Sequence, residues 1–179
     1  MPTGARSPRR PATIISREMI LRPDFGFAFA HPAHFVSFGF GVGLIRFAPG
    51  TFGTLLALPL YWYALRECAT GTAFLILAAL FAIGVWACSI TGRHLGVADH
   101  GAMVWDEVVA FLLVLLVTPE EPGWQAAAFF LFRLFDVVKP SPIREFERRA
   151  KGGFGVMADD ILAAGYTLLA LAVARRLWF

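Results

Sequence analysis

Charge is scarce in this chain: 16 Lys and Arg and 13 Asp and Glu among 179 residues make it 16% charged, against 58% hydrophobic. That scarcity excludes a strongly solvated or disordered polypeptide. With a mean hydropathy of +0.64, it makes a membrane protein the leading class. Cysteine is nearly absent. Cys68 and Cys88 both lie in or beside one apolar run, so neither a disulfide framework nor a four-ligand zinc site is indicated, and both read as small core residues. Alternating strand patterns are few, and no internal repeat is visible. No lysine follows a glycine at the spacing a nucleotide-binding P-loop needs.

What remains is oily and helical. The uncharged run from Cys68 to Gly92 would reach roughly 37 Å as a helix at about 1.5 Å per residue, enough to cross a hydrocarbon core of about 30 Å. FAPGTFGTLLALPLYWYAL is interrupted by Pro49 and Gly50, and VVAFLLVLLVTP is too short to cross, so these read as short, re-entrant or protein-buried helices. The fold expectation is all-α: a multihelical integral membrane domain over residues 34–179 with several short or interrupted membrane-embedded helices. Helices are predicted near Leu55 to Glu67, Ala73 to Thr91, Trp105 to Val117, Trp124 to Val138, Ile143 to Arg149 and Asp159 to Arg176. Residues 1–33 carry Arg6, Arg9, Arg10, Arg17 and Arg22 without an apolar core long enough for a signal peptide. They read as a flexible, basic cytoplasmic arm suited to anionic lipid headgroups. The arm lacks interleaved aromatic residues, which argues against nucleic acid as a partner.

Against this background each acid is informative, because a carboxylate in an apolar segment is costly and usually faces a partner or a wet cavity. Asp106 and Glu107 open the apolar run of MVWDEVVAFLLVLL, Asp136 follows the apolar stretch of FFLFRLFDVVKPSPIR, and Asp159 and Asp160 in GGFGVMADD are predicted to begin the last helix. Taken singly, Asp106, Glu107 and Asp159 read as helix-end residues stabilised by the helix dipole. Asp136 alone reads as well as an ion pair with Arg133 or Lys139, each three residues away. Three separated segments bringing oxygen ligands to one kind of boundary make a shared hard-cation site the more economical reading. Mg²⁺ fits it, since that ion takes oxygen ligands and commonly bridges carboxylates to phosphate.

The glycine-rich stretch GFGVGLIRFAPGTFGT could cradle an anion, with Thr51 and Thr54 offering hydroxyls and Arg46 a charged donor; glycines serving close helix packing are the competing reading. A second basic stretch runs from Lys139 to Lys151. One or two of its charges are expected to touch substrate while the rest meet solvent or headgroups. His94 and His100 read as solvated loop residues ahead of a general acid and base.

In order and in type, GFGVGLIRFAPGTFGT, DHGAMVWDEVVAF, FRLFDVVKPSPIREFE and GGFGVMADDILAAGY resemble the phosphatidylglycerophosphatase A family over about Phe38 to Gly165. The resemblance implies a Mg²⁺-requiring phosphatase at the cytoplasmic face of the bacterial inner membrane, which removes the terminal phosphate of phosphatidylglycerophosphate to leave phosphatidylglycerol. Carried over by position, it points to Asp106, Glu107, Asp136, Asp159 and Asp160 as catalytic and metal-holding residues. Pro49, Gly50, Thr51 and Lys139 are its substrate contacts. The chain departs from the family pattern at Val42, Phe47 and Ala110, and Arg46 stands beside Phe47, where a lysine is usual.

The mechanism expected on that basis is direct attack by water. Mg²⁺ would be held by a subset of the five acids, and Lys139, helped by Arg46, would stabilise charge on the phosphoryl group. Cysteine-phosphatase chemistry does not fit, because Arg93 follows Cys88 by five positions where six are needed. Neither the Asp-x-Asp start of a haloacid-dehalogenase site nor the motif of the cytidine-diphosphate alcohol transferases is present. The competing class is a small transporter or channel component whose ion path is lined by the same acids and glycines.

Overall fold

The computed structural model describes residues 23–178; the arginines of the basic arm lie outside them. Among the described residues the regular structure is entirely helical. The elements are α1 (Phe25–Ala30), α2 (Pro32–Ser37), a 3₁₀ segment (Gly39–Leu44), α3 (Pro49–Leu60), α4 (Thr70–Leu95), α5 (Trp105–Val117), α6 (Pro122–Val138), α7 (Ile143–Arg149) and α8 (Gly152–Trp178). The all-α expectation holds.

The centre of the domain is α5. Val108, Val109, Ala110, Phe111, Leu112, Val114 and Leu115 are all fully buried, as expected of a helix apolar around its whole circumference. It packs between α3 and α8, while α8 also packs along α4 and α6. Trp105 fixes the start of α5 by donating its indole Nε1–H to the Leu80 carbonyl of α4 at 3.2 Å.

Two helices are long and apolar enough to cross a membrane, Thr70–Leu95 and Gly152–Leu177. The sequence points to one such span, the run from Cys68 to Gly92, and predicts a last helix that starts only at Asp159. It starts at Gly152, so Asp159 and Asp160 lie two turns inside α8 and neither is an N-cap. Packing sets the boundary: a Cβ at Gly153 would overlap the Val85 carbonyl and Ser89 Oγ of α4, so this glycine lets two helices touch at backbone distance. Phe74, Leu75, Ile83, Trp86, Leu169 and Val173 point outward from α4 and α8, as a lipid surround would favour.

The α3 helix likewise begins earlier than the predicted Leu55. Ala48 adopts a left-handed conformation (φ 46°) and Pro49 takes the first helical position, where its missing N–H costs nothing. Proline recurs within the helix at Pro59, and the chain widens just beyond it into a π-turn over Tyr61–Leu65, in which Arg66 N–H donates to the Tyr61 carbonyl at 2.9 Å.

Residues 23–33, placed in the arm from the sequence, include α1 and the start of α2, with Ala28 and Ala33 buried. The α2 helix docks on the carboxyl end of α4 through histidines. His34 Nδ1 lies 3.0 Å from Thr91 Oγ1, and its Nε2 lies 3.0 Å from His94 Nδ1. His94 is therefore an exposed helical residue in the last turn of α4 rather than a loop residue. Burial, followed by the neighbouring His94 and His31, pushes the His34 pKa down to about 4.

Candidate active site

The amino end of α5 points at the middle of α8. Asp106, Glu107 and Asp160 each bring a carboxylate oxygen to within 4.8 Å of the others. Asp106 Oδ1, Glu107 Oε2 and Asp160 Oδ2 are all buried without a hydrogen-bond partner. Burial, compounded by the charges of Glu107 and Asp160, holds the Asp106 carboxyl well above the ordinary carboxylate range. Burial also raises Glu107 to about 7, against the opposing charge of Arg133. A buried oxygen with no partner costs on the order of 1–3 kcal/mol, so three converging on one point leave a deficit that something else offsets. Oxygen donors in this number are the chemistry of a hard divalent cation.

The other two predicted acids are held by cations. Asp136 Oδ2 sits 2.6 Å from Arg133 Nη1, one helical turn earlier in α6, so the simple ion-pair reading of that residue is what the fold displays. The same guanidinium lies 3.6 Å from Glu107 Oε1 and 3.5 Å from Thr54 Oγ1, tying α3, α5 and α6 together. Asp159 Oδ2 is 2.6 Å from Lys139 Nζ. Lys139 ends α6 in a left-handed conformation (φ 44°), a strained backbone for a non-glycine residue of the kind that collects at functional sites. Its ammonium group, expected from the sequence to touch substrate, pairs with Asp159.

Of the glycine-rich stretch, Gly50 reaches the acids: a Cβ there would overlap Glu107 Oε1 and come within 3.0 Å of Arg133 Nη1. Gly39, Gly43 and Gly53 are pressed onto residues 102–104 instead, so packing accounts for them. Thr51 lies in the first turn of α3, its amide donating to the Ala48 carbonyl, while Thr54 is the hydroxyl that meets Arg133. Arg46 and Pro49 face a cavity of about 500 Å³ on the outer side of this wall.

Sequence reasoning treated Arg133 only as a possible partner of Asp136 and missed its role as the hub of the site. The signal was a lone cation inside the apolar run FFLFRLF.

A protein-family model described as phosphatidylglycerophosphatase A matches residues 35–175. The chain belongs to the phosphatidylglycerophosphatase A family. It is therefore a phosphatase by family, and the four segments that suggested this from the sequence all lie within the matched region. The phosphatidylglycerophosphatase A of Haemophilus influenzae is 42% identical over 140 residues, covering 78% of this chain and 86% of that protein. That of Escherichia coli is 41% identical over 135 residues, covering 75% and 78%. A putative phosphatidylinositol-3-phosphatase of Bacteroides thetaiotaomicron is 43% identical over 145 residues, covering 76% and 89%. No solved structure matches the chain.

Proposed function

We propose that this protein hydrolyses the terminal phosphate monoester of phosphatidylglycerophosphate, giving phosphatidylglycerol and phosphate, with Mg²⁺ as its cofactor, in the cytoplasmic membrane of a bacterium and with its site on the cytoplasmic side. The observation that carries the reading is the meeting of three partnerless buried carboxylate oxygens, from Asp106, Glu107 and Asp160, in a chain of this family. The ion-path reading of the same acids loses ground because a phosphatase family accounts for them.

Asp106, Glu107 and Asp160 would hold the ion. When bound, it supplies neutralisation of the phosphate charge and acidification of water. The chain's own residues do the rest. Arg133 fixes the Glu107 carboxylate between α3 and α6 and keeps Asp136 beside the cluster. Lys139 pins Asp159, whose Oδ1 accepts the Asp160 backbone amide at 3.1 Å. Gly50 leaves open the space against Glu107 that a side chain would fill. Asp136 and Asp159 stand outside the three-carboxylate group; one of them would take the proton of the attacking water, and the departing glycerol oxygen would be protonated from that acid or from solvent. Attack by water, with no phosphorylated enzyme, follows if all five acids are engaged in these ways; a phosphoaspartate trapped by rapid quench would overturn that step.

The test is phosphate release from phosphatidylglycerophosphate in detergent micelles, with Mg²⁺ and with excess chelator, beside an Asp160→Asn variant of unchanged helicity. Metal-dependent release that is lost in the variant supports the proposal. Absence of release by folded wild type refutes it, and faster release from phosphatidylinositol 3-phosphate would move the substrate toward the one named for the Bacteroides relative.

A further inference from the structure

The cavity of about 500 Å³ lies against the acid cluster but outside it, between the end of the 3₁₀ segment, the start of α3 and the loop at residues 100–102. Pro49 lines it, and the next residue, Gly50, faces Glu107, so consecutive residues with α-carbons about 3.8 Å apart form the wall between the two spaces. Arg46 lines the cavity, is exposed, and makes no ion pair or hydrogen bond among the described residues. His100 also lines it, with its Nδ1 accepting the Ala102 amide at 3.1 Å, which holds the ring against the loop at residues 100–102. One carboxylate, Asp24, shares the lining and works against an anion, but its Oδ1 is engaged by the Phe27 amide at 2.8 Å as the cap of α1. Phe25 and Ile45 on the cavity wall, and Phe47 nearby in the chain, are exposed apolar side chains where acyl tails could lie.

We propose that this cavity is a second anion subsite, in which Arg46 holds the phosphodiester of a lipid whose terminal phosphate lies at the acid cluster. This rests on the phosphatase reading above and deepens it. A phosphodiester one glycerol unit from a phosphate monoester needs two adjoining polar pockets, one for each phosphate, and an apolar rim on the side of the acyl chains. The arrangement makes Arg46 a selectivity residue for lipids carrying an internal diester. A charge-assisted contact to phosphate also explains a guanidinium left without a protein partner at a cavity mouth.

The experiment separates the subsite from the chemistry by using the product, phosphatidylglycerol, which keeps the diester and lacks the monoester. Binding of phosphatidylglycerol in zwitterionic detergent micelles is measured with excess chelator, for full-length wild type, Arg46→Gln and Arg46→Lys, with diacylglycerol of the same chains as the phosphate-free comparison. The expected result is tighter binding of phosphatidylglycerol than of diacylglycerol by wild type. Arg46→Gln weakens it about tenfold and Arg46→Lys restores part of the loss. In turnover, Arg46→Gln raises the KM for phosphatidylglycerophosphate about tenfold with a much smaller change in kcat. Equal binding by wild type and Arg46→Gln, or equal binding of the two lipids, overturns the subsite. Displacement by an equal concentration of inorganic phosphate overturns its assignment to a lipid. Arginine-dependent binding without any hydrolysis would leave the subsite standing and sink the proposed reaction instead.

Discussion

The narrowest gap at the acid cluster is the one that Gly50 keeps open, and Gly50→Ala tests the site with a single carbon. The added Cβ would overlap Glu107 Oε1 and sit 3.0 Å and 3.1 Å from the two terminal nitrogens of Arg133. Restoring an ordinary separation of about 3.5 Å requires the Glu107 carboxylate to retreat by about 1 Å. Because the displaced atom is the end of a flexible side chain, the fold absorbs the change at small cost, and the helix propensity of alanine offsets up to about 1 kcal/mol. Catalysis does not have that latitude, since a misplacement of about 1 Å can cost on the order of 100-fold, equivalent to about 2.7 kcal/mol of transition-state stabilisation. The assay is initial rate of phosphate release at saturating Mg²⁺, paired with thermal unfolding in the same detergent. Gly165→Ala serves as the control, because nothing lies within 4 Å of its new methyl group. A Gly50→Ala variant that keeps its rate within about twofold, or loses rate only in step with stability, would refute the claim that Glu107 works in the position described.

Asp160→Asn removes a charge from the group of three carboxylates that each hold a partnerless buried oxygen, so the metal-free variant should melt no lower than wild type. The stabilisation by Mg²⁺, about 2.7 kcal/mol at a hundredfold excess over Kd, should vanish; equal stabilisation of both proteins would exclude this cluster as the metal site. Gly153→Ala should destabilise by about 1–3 kcal/mol, because its Cβ meets the Val85 carbonyl of a neighbouring helix rather than a movable side-chain tip. A melting temperature equal to wild type would show that α4 and α8 slide apart freely. His34 supplies a pH dependence of stability. Its folded pKa, about 4, lies below the unfolded value of 6.5, so between those values the unfolded chain binds the proton and the folded one does not. Stability is therefore fully present above pH 6.5 and falls as pH drops toward 4, by about 2 kcal/mol between pH 7 and pH 5. Thermal unfolding across that range should show the slope in wild type and a flatter one in His34→Gln.

Helix boundaries were readable where a local signal set them and unreadable where packing did. The limits of α5 follow from a polar start and an apolar run ended by Thr118 and Pro119, and those of α7 from Pro142 before it and the Gly152–Gly153 pair soon after it. The stretch GGFG falls outside the helix predicted from Asp159 because the helical cost of its glycines is local, whereas the contact of Gly153 with Val85 and Ser89 lies more than sixty positions away. The five acids were visible as a group, but their division was not. Successive residues on a helix point about 100° apart. Asp159 and Asp160 therefore face different neighbours, and Lys139 takes the first while α5 takes the second. The pairing of Asp136 with Arg133 was legible from their spacing. The reach of the same guanidinium to Glu107 and Thr54 needed the fold.

The way residues 39–53 are moulded onto residues 102–107 bears on how this protein can be recombined. Gly39 and Gly53 meet Val104, Gly43 meets the Ala102 carbonyl, and Gly50 meets Glu107, so one segment is the cast of the other. A chimera with a relative whose crossover falls between positions 54 and 101 would join a mould to a foreign cast, even with every acid retained. Crossovers placed after 107 keep both halves from one parent. The unit of exchange in this enzyme is therefore a pair of surfaces separated by a whole apolar helix, and breeding variants by blocks of sequence succeeds only when the blocks respect that pair.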